Sequence, residues 1–110
     1  MTVPEVIVPN VLIVHDNVGL QLWLADALAP EGFAVIPAKT PWEARRFLAE
    51  LELPVDLLIA PPAGAGAFAN ALRQSQGYLR VMYVTREMEW MEAPEWVRAA
   101  RRSLSLAAHA

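Results

Sequence analysis

Val11-Leu12-Ile13-Val14-His15-Asp16-Asn17 starts as an unbroken apolar run and stops on polar groups. Four apolar residues without alternation read as a central strand of a parallel sheet, covered on both faces. His15 and Asp16 then fall at the carboxyl end of that strand, where open α/β sheets bind ligands. Downstream, residues 18–29 read as a helix ended by Pro30 and Gly32. Leu20, Trp23, Leu24, Ala27 and Leu28 share one stripe at helical spacing, the expected core face. Val18, Leu22, Ala25 and Ala29 form a second stripe opposite, so this helix is either sandwiched or offers a face to a partner.

Residues 33–36 read as the second strand, with Pro37 marking a sheet edge. Thr40-Pro41-Trp42-Glu43 combines an N-cap, a proline in the first turn and a capping-box glutamate. The helix it starts points Ala44, Phe47, Leu48 and Leu51 inward. Residues 55–60 form a third strand, followed by the loop Pro61-Pro62-Ala63-Gly64-Ala65-Gly66 and an alanine-rich helix around 68–76. Residues 80–84 form a fourth strand ending at Thr85. From Pro94 a last helix carries Trp96, Val97, Ala100, Leu104 and Ala108 on one face and arginines on the other. No fifth strand is readable. The alternation predicts one doubly wound, flavodoxin-like parallel sheet spanning 1–110 as a single domain. Right-handed crossovers give the order 2-1-3-4.

Composition bounds the function. The chain has 110 residues, 55% hydrophobic and 19% charged, which suits one globular core. Its apolar runs are too short for a membrane span, and the N-terminus lacks the basic-then-apolar pattern of a signal peptide. The absence of cysteine excludes disulfides, thiolate metal sites and cysteine nucleophiles, and fits a cytoplasmic protein. Net charge is −3, and the basic residues are scattered apart from Arg98, Arg101 and Arg102, which disfavours a nucleic-acid partner. No metal-ligand cluster and no serine–histidine–acid arrangement suggests catalysis.

In sequential register the chain resembles the receiver domain of two-component response regulators, the CheY-like family, over roughly residues 10–86. Val11 to Asn17 looks like its first strand and acidic pair. Asp16 to Leu48 matches without a gap, through Gly32-Phe33 and Trp42-Glu43-Ala44. Pro54-Val55-Asp56-Leu57-Leu58-Ile59 looks like the approach to its phosphorylation site, and Val81-Met82-Tyr83-Val84-Thr85 like its fourth strand with the switch hydroxyl. The family chemistry needs a carboxylate nucleophile beside Mg²⁺, two acids on the first strand, and a lysine that meets the phosphoryl group. Here His15 stands in place of the first acid, Asp16 keeps the second, and Pro61 occupies the phosphoacceptor position. Thr85 survives, and the lysine after a fifth strand has no counterpart. The resemblance therefore implies a degenerate pseudo-receiver without phosphotransfer. The last helix can stand for either the fourth or the fifth helix of the family.

Each singled-out residue has two readings. His15 and Asp16 are a remnant pocket for a cation or small anion, or polar strand ends satisfied by loop amides. Gly64-x-Gly66-x-x-Ala69 matches a dinucleotide pattern, with Glu87 about twenty residues on, or is a flexible loop separated from its strand by two prolines. Met88, Trp90, Met91 and Trp96 form a partner-binding patch, or cover the fourth-strand edge within the chain. Arg98, Arg101 and Arg102 are a solvated face or a dock for an acidic partner. His109 lies near the terminus and carries no argument. The expected function is a non-enzymatic, phosphorylation-independent signalling module in a two-component-like pathway, without cofactor or metal. Its partner is a protein, or a second copy in a homodimer, met through the last helix and residues 86–96. The alternative is a small-ligand or nucleotide sensor using a His15/Asp16/Thr85 pocket or the loop of Gly64 and Gly66.

Overall fold

The computed structural model describes residues 8–108 apart from Gly64 and Tyr78. Gly64 of the glycine loop and His109 therefore lie outside the described residues. Four strands form one sheet in the order β2-β1-β3-β4, with β1 at Asn10–Val14, β2 at Ala34–Ala38, β3 at Leu57–Ala60 and β4 at Arg80–Tyr83. Every pairing is parallel, as the continuous apolar strands require. The helices are α1 (Val18–Leu28), α2 (Pro41–Leu51), α3 (Ala65–Ser75) and α4 (Ala93–Ala108).

Local chemistry sets these bounds. The Asn17 side chain accepts from the Leu20 amide and starts α1, and Thr40 Oγ1 accepts from the Glu43 amide to start α2. After α1 a 3-10 turn at Ala29–Glu31 leads into Gly32 at φ 95°, a left-handed conformation that glycine adopts without a Cβ clash. Strand edges shift by a few residues from the sequence reading. β2 runs through Pro37 to Ala38, and β3 starts at Leu57, because Asp56 instead ties the amino ends of β1 and β3. Its carboxylate accepts from the Asn10 amide at 2.7 Å.

Alternate residues of each strand feed two cores. Val11, Ile13, Leu57, Ile59, Met82 and Val84 face Leu24 and Leu28 of α1 and Trp96, Val97 and Ala100 of α4. Leu12, Val14, Leu58 and Ala60 face Ala44 of α2 and Phe68 and Leu72 of α3. α4 thus packs beside α1 on one face of the sheet. Two expected core positions are corrected. Trp23 is 41% exposed and Leu51 53% exposed, because α1 turns Gln21, Leu24 and Leu28 to the sheet and leaves Trp23 on its flank.

Trp96 is also corrected. It is fully buried, so it belongs to the core and is not a surface contact. Met88 and Met91 are half-buried against the same core, and of that cluster only Trp90 stands free, at 88% exposure. The Trp96 indole N–H is buried without a hydrogen-bond partner, a loss of about 1–3 kcal/mol against its ring burial. Trp96→Ala is accordingly expected to cost about 3–5 kcal/mol, and Trp96→Phe clearly less, since both remove the stranded donor but only phenylalanine refills most of the volume. Urea unfolding of both variants measures this. Equal losses would show that ring volume at this position adds little to stability.

Candidate functional site at the carboxyl edge of the sheet

Because Ile13 pairs with Ile59, His15 and Pro61 leave their strands level with each other. β1 feeds α1 on one face and β3 feeds α3 on the other, so the chain diverges between them and opens a crevice, the switch point of this fold. The crevice holds about 490 Å³ and is lined by His15, Asp16, Lys39, Pro41, Pro61 and Phe68, among others. Thr85 does not line it. The expected His15/Asp16/Thr85 pocket is therefore corrected: Lys39 and Pro41, from the loop between β2 and α2, take part where Thr85 does not. Thr85 lies exposed beyond β4 and accepts from the Met88 amide through its carbonyl.

His15 is held firmly. Its ring Nδ1 accepts from the Asn17 amide at 3.0 Å, which assigns the proton of the neutral ring to Nε2. That Nε2 lies 3.7 Å from Glu89 Oε1, beyond hydrogen-bond range. Asp16 Oδ1 sits 3.3 Å from Nδ1, yet the Nδ1 lone pair is already used by the Asn17 amide, and the Asp16 side chain is 95% exposed. The two residues are neighbours without being a working acid–base pair. Among the described residues no three His, Cys, Asp or Glu converge as metal ligands.

Sequence reasoning missed Gln21. It is 4% exposed on α1, and its Nε2 donates to the His15 carbonyl at 2.6 Å and to the Ala38 carbonyl. Ala38 O also accepts from the His15 amide. One buried amide therefore locks the ends of β1 and β2 to α1 and fixes the rim of the crevice. Its only sequence signal was a polar residue one position behind an apolar stripe. Gln21→Leu is expected to destabilise the fold by about 1–3 kcal/mol by stranding the His15 carbonyl. Gln21→Glu should cost more, since a carboxylate would face two carbonyl oxygens. Chemical denaturation tests the order.

A second hollow of about 460 Å³ lies at the other end of the sheet, beside Leu48, Leu53 and Leu72. Glu52, Ser75 and Gln76 also line it, but it lies away from the carboxyl ends of the strands, where open α/β sheets bind ligands, so the crevice is the better candidate.

No protein-family model matches the chain, and no curated protein does. Solved structures do. A response regulator from Thermotoga maritima superposes with a TM-score of 0.73 at 20% identity, covering 90% of this chain and 99% of that one. The chemotaxis protein CheY4 of Vibrio cholerae gives 0.69 at 17% identity, over 89% of this chain and 100% of its own. NtrX of Brucella abortus, solved in complex with ATP, gives 0.78 at 15% identity over 93% of this chain, which spans 28% of NtrX. At these identities the likeness is one of fold. The chain has the flavodoxin-like fold of response-regulator receiver domains, in strand order 2-1-3-4.

Proposed function

We propose that this chain is a pseudo-receiver: a signalling module of a two-component-like pathway that is not phosphorylated, catalyses no reaction and acts by binding proteins in the cytoplasm. The observation that carries the reading is Pro61 at the end of β3, beside the crevice, where phosphotransfer needs a carboxylate nucleophile. Proline offers no oxygen to attack a phosphoryl group. His15 in place of the first acid supports the same conclusion, since its buried ring is committed to the Asn17 amide. Without aspartyl phosphate, any change of state must come from a partner that prefers one conformation. Trp90, at 88% exposure on the segment after β4, supports a protein contact there. The net charge of −3 supports a protein over a nucleic acid, and no described helix is long and apolar enough to cross a membrane.

Incubation with Mg²⁺ and acetyl phosphate is expected to leave the protein's mass unchanged and its amide spectrum unshifted on adding beryllofluoride. An acid-stable mass gain is not the signal sought; an acyl-phosphate adduct that hydroxylamine removes would sink the reading.

A second reading has its own support. Lys39 lines the crevice and has no carboxylate partner within ion-pair distance among the described residues. Pro41, Pro61 and Phe68 supply apolar walls, which suits a small anion with an apolar body. Inorganic phosphate at millimolar concentration, a probe of the charged end alone, should then raise the melting temperature of the wild type and not of Lys39→Ala. Equal shifts in both proteins would remove Lys39 from the site.

A further inference from the structure

The two edges of the sheet differ in a way that points to a partner. In β2 the amides of Ala34, Ile36 and Ala38 face β1, as shown by Ala34 N–H to Pro9 O and His15 N–H to Ala38 O. Val35 and Pro37 therefore face outward, and proline has no N–H to offer. That edge is blunted. In β4, Arg80 N–H reaches Asp56 O at 3.0 Å and Val84 N–H reaches Ala60 O at 2.8 Å, so Val81 and Tyr83 face outward. Both carry an N–H and a C=O, and among the described residues no backbone group pairs with them. Tyr83 is 41% exposed. This edge is open.

A direct crossover from β4 through α4 does not close it. α2 and α3 carry the chain from β2 to β3 and from β3 to β4 on one face of the sheet; α1 carries it the opposite way on the other. A right-handed crossover to a parallel strand outside β4 needs a helix on the α2/α3 face, and about 98% of such crossovers are right-handed. α4 lies on the α1 face. A parallel strand on the β4 edge is therefore not the one that a right-handed crossover through α4 would supply.

We propose that the β4 edge binds the β4 edge of a second copy of this chain, antiparallel, in an isologous dimer whose sheets join into one. This dimer rests on the protein-binding role proposed above and adds the identity of the partner. Two-fold symmetry requires antiparallel strands and self-complementary residues. Centring the axis on Met82 uses every outward group of β4, because Val81 of one copy then exchanges both backbone hydrogen bonds with Tyr83 of the other. The same register places a β-branched side chain opposite an aromatic one on one face, a favourable cross-strand pair. It sets Met82 against Met82 on the other face, and Arg80 opposite the apolar Val84, so no like charges face each other. Val81 and Tyr83 lie on the α2/α3 side, where Val81 already packs against that core.

The test uses the protein's own solution for a closed edge. Val81→Pro removes one outward N–H and leaves the bonds to β3 intact, as Pro37 does in β2. Sedimentation equilibrium of the full chain is expected to show a dimer that Val81→Pro weakens at least about tenfold, with circular dichroism unchanged. A second measurement does not depend on that variant folding. Since the chain has no cysteine, Met82→Cys should form a disulfide-linked dimer under mild oxidation, because antiparallel non-hydrogen-bonded partners have Cα atoms about 4.5 Å apart. Tyr83→Cys, offset from its own symmetry mate, should not. A dimer unaffected by Val81→Pro, or one cross-linked through Tyr83→Cys and not Met82→Cys, overturns the edge pairing while leaving protein binding in place. A monomer at every concentration also overturns it. Loss of the pseudo-receiver reading itself would come only from acyl-phosphate formation.

Discussion

The pairing of β1 with β3 is the constraint from which the remaining structure follows. Val11, Leu12 and Ile13 lie against Leu57, Leu58 and Ile59, and all of these side chains are fully buried. Two adjacent strands buried on both faces oblige the chain to cover both faces, which parallel connections do with helices. α1 and α4 cover one side, α2 and α3 the other. The chain leaves β1 and β3 in opposite directions, so the same pairing that makes the core also opens the crevice above it.

At that crevice hydrogen bonds organise the strand ends. The strand ends still bring His15, Asp16 and Pro61 together, but these side chains are arranged for structure. Asn17 closes on the His15 ring, Gln21 closes on the His15 carbonyl, and Asp16 turns to water. The crevice is thereby a hydrogen-bonded corner at the end of the sheet. The loop between β2 and α2 contributes the one cation at its wall, Lys39. Beyond the crevice, the fold leaves Trp90 exposed and the outward backbone groups of Val81 and Tyr83 without a partner among the described residues.

The placement of α4 ties these features together. Trp96, Val97 and Ala100 fill the space over β3 and β4 on the α1 side, and the fully buried Trp96 anchors the helix there. Once α4 occupies that face, the handedness of parallel connections separates it from any strand outside β4. The helix that completes the core is thus also the reason that the sheet has an open side.

Much of this was legible in the residues. The apolar runs at β1 and β3, the Thr40-Pro41-x-Glu43 start of α2, and the break at Pro30 and Gly32 fix element type by local rules: burial without alternation, capping, and backbone conformation. Those rules act within a few residues; the strand order followed from the right-handedness of parallel crossovers. That Pro61 offers no side-chain oxygen was equally a matter of sequence, because covalent chemistry depends on which atoms exist. Tertiary structure alone decided which side of an ambiguous helix faces in, and it chose Gln21 over Trp23 because a buried amide was needed between two strand ends. It also put Trp96 inside and Trp90 outside, and gave the crevice Lys39 in place of Thr85. These are contacts between residues far apart in the chain, set by how whole elements pack, and a linear pattern carries no record of which face meets which.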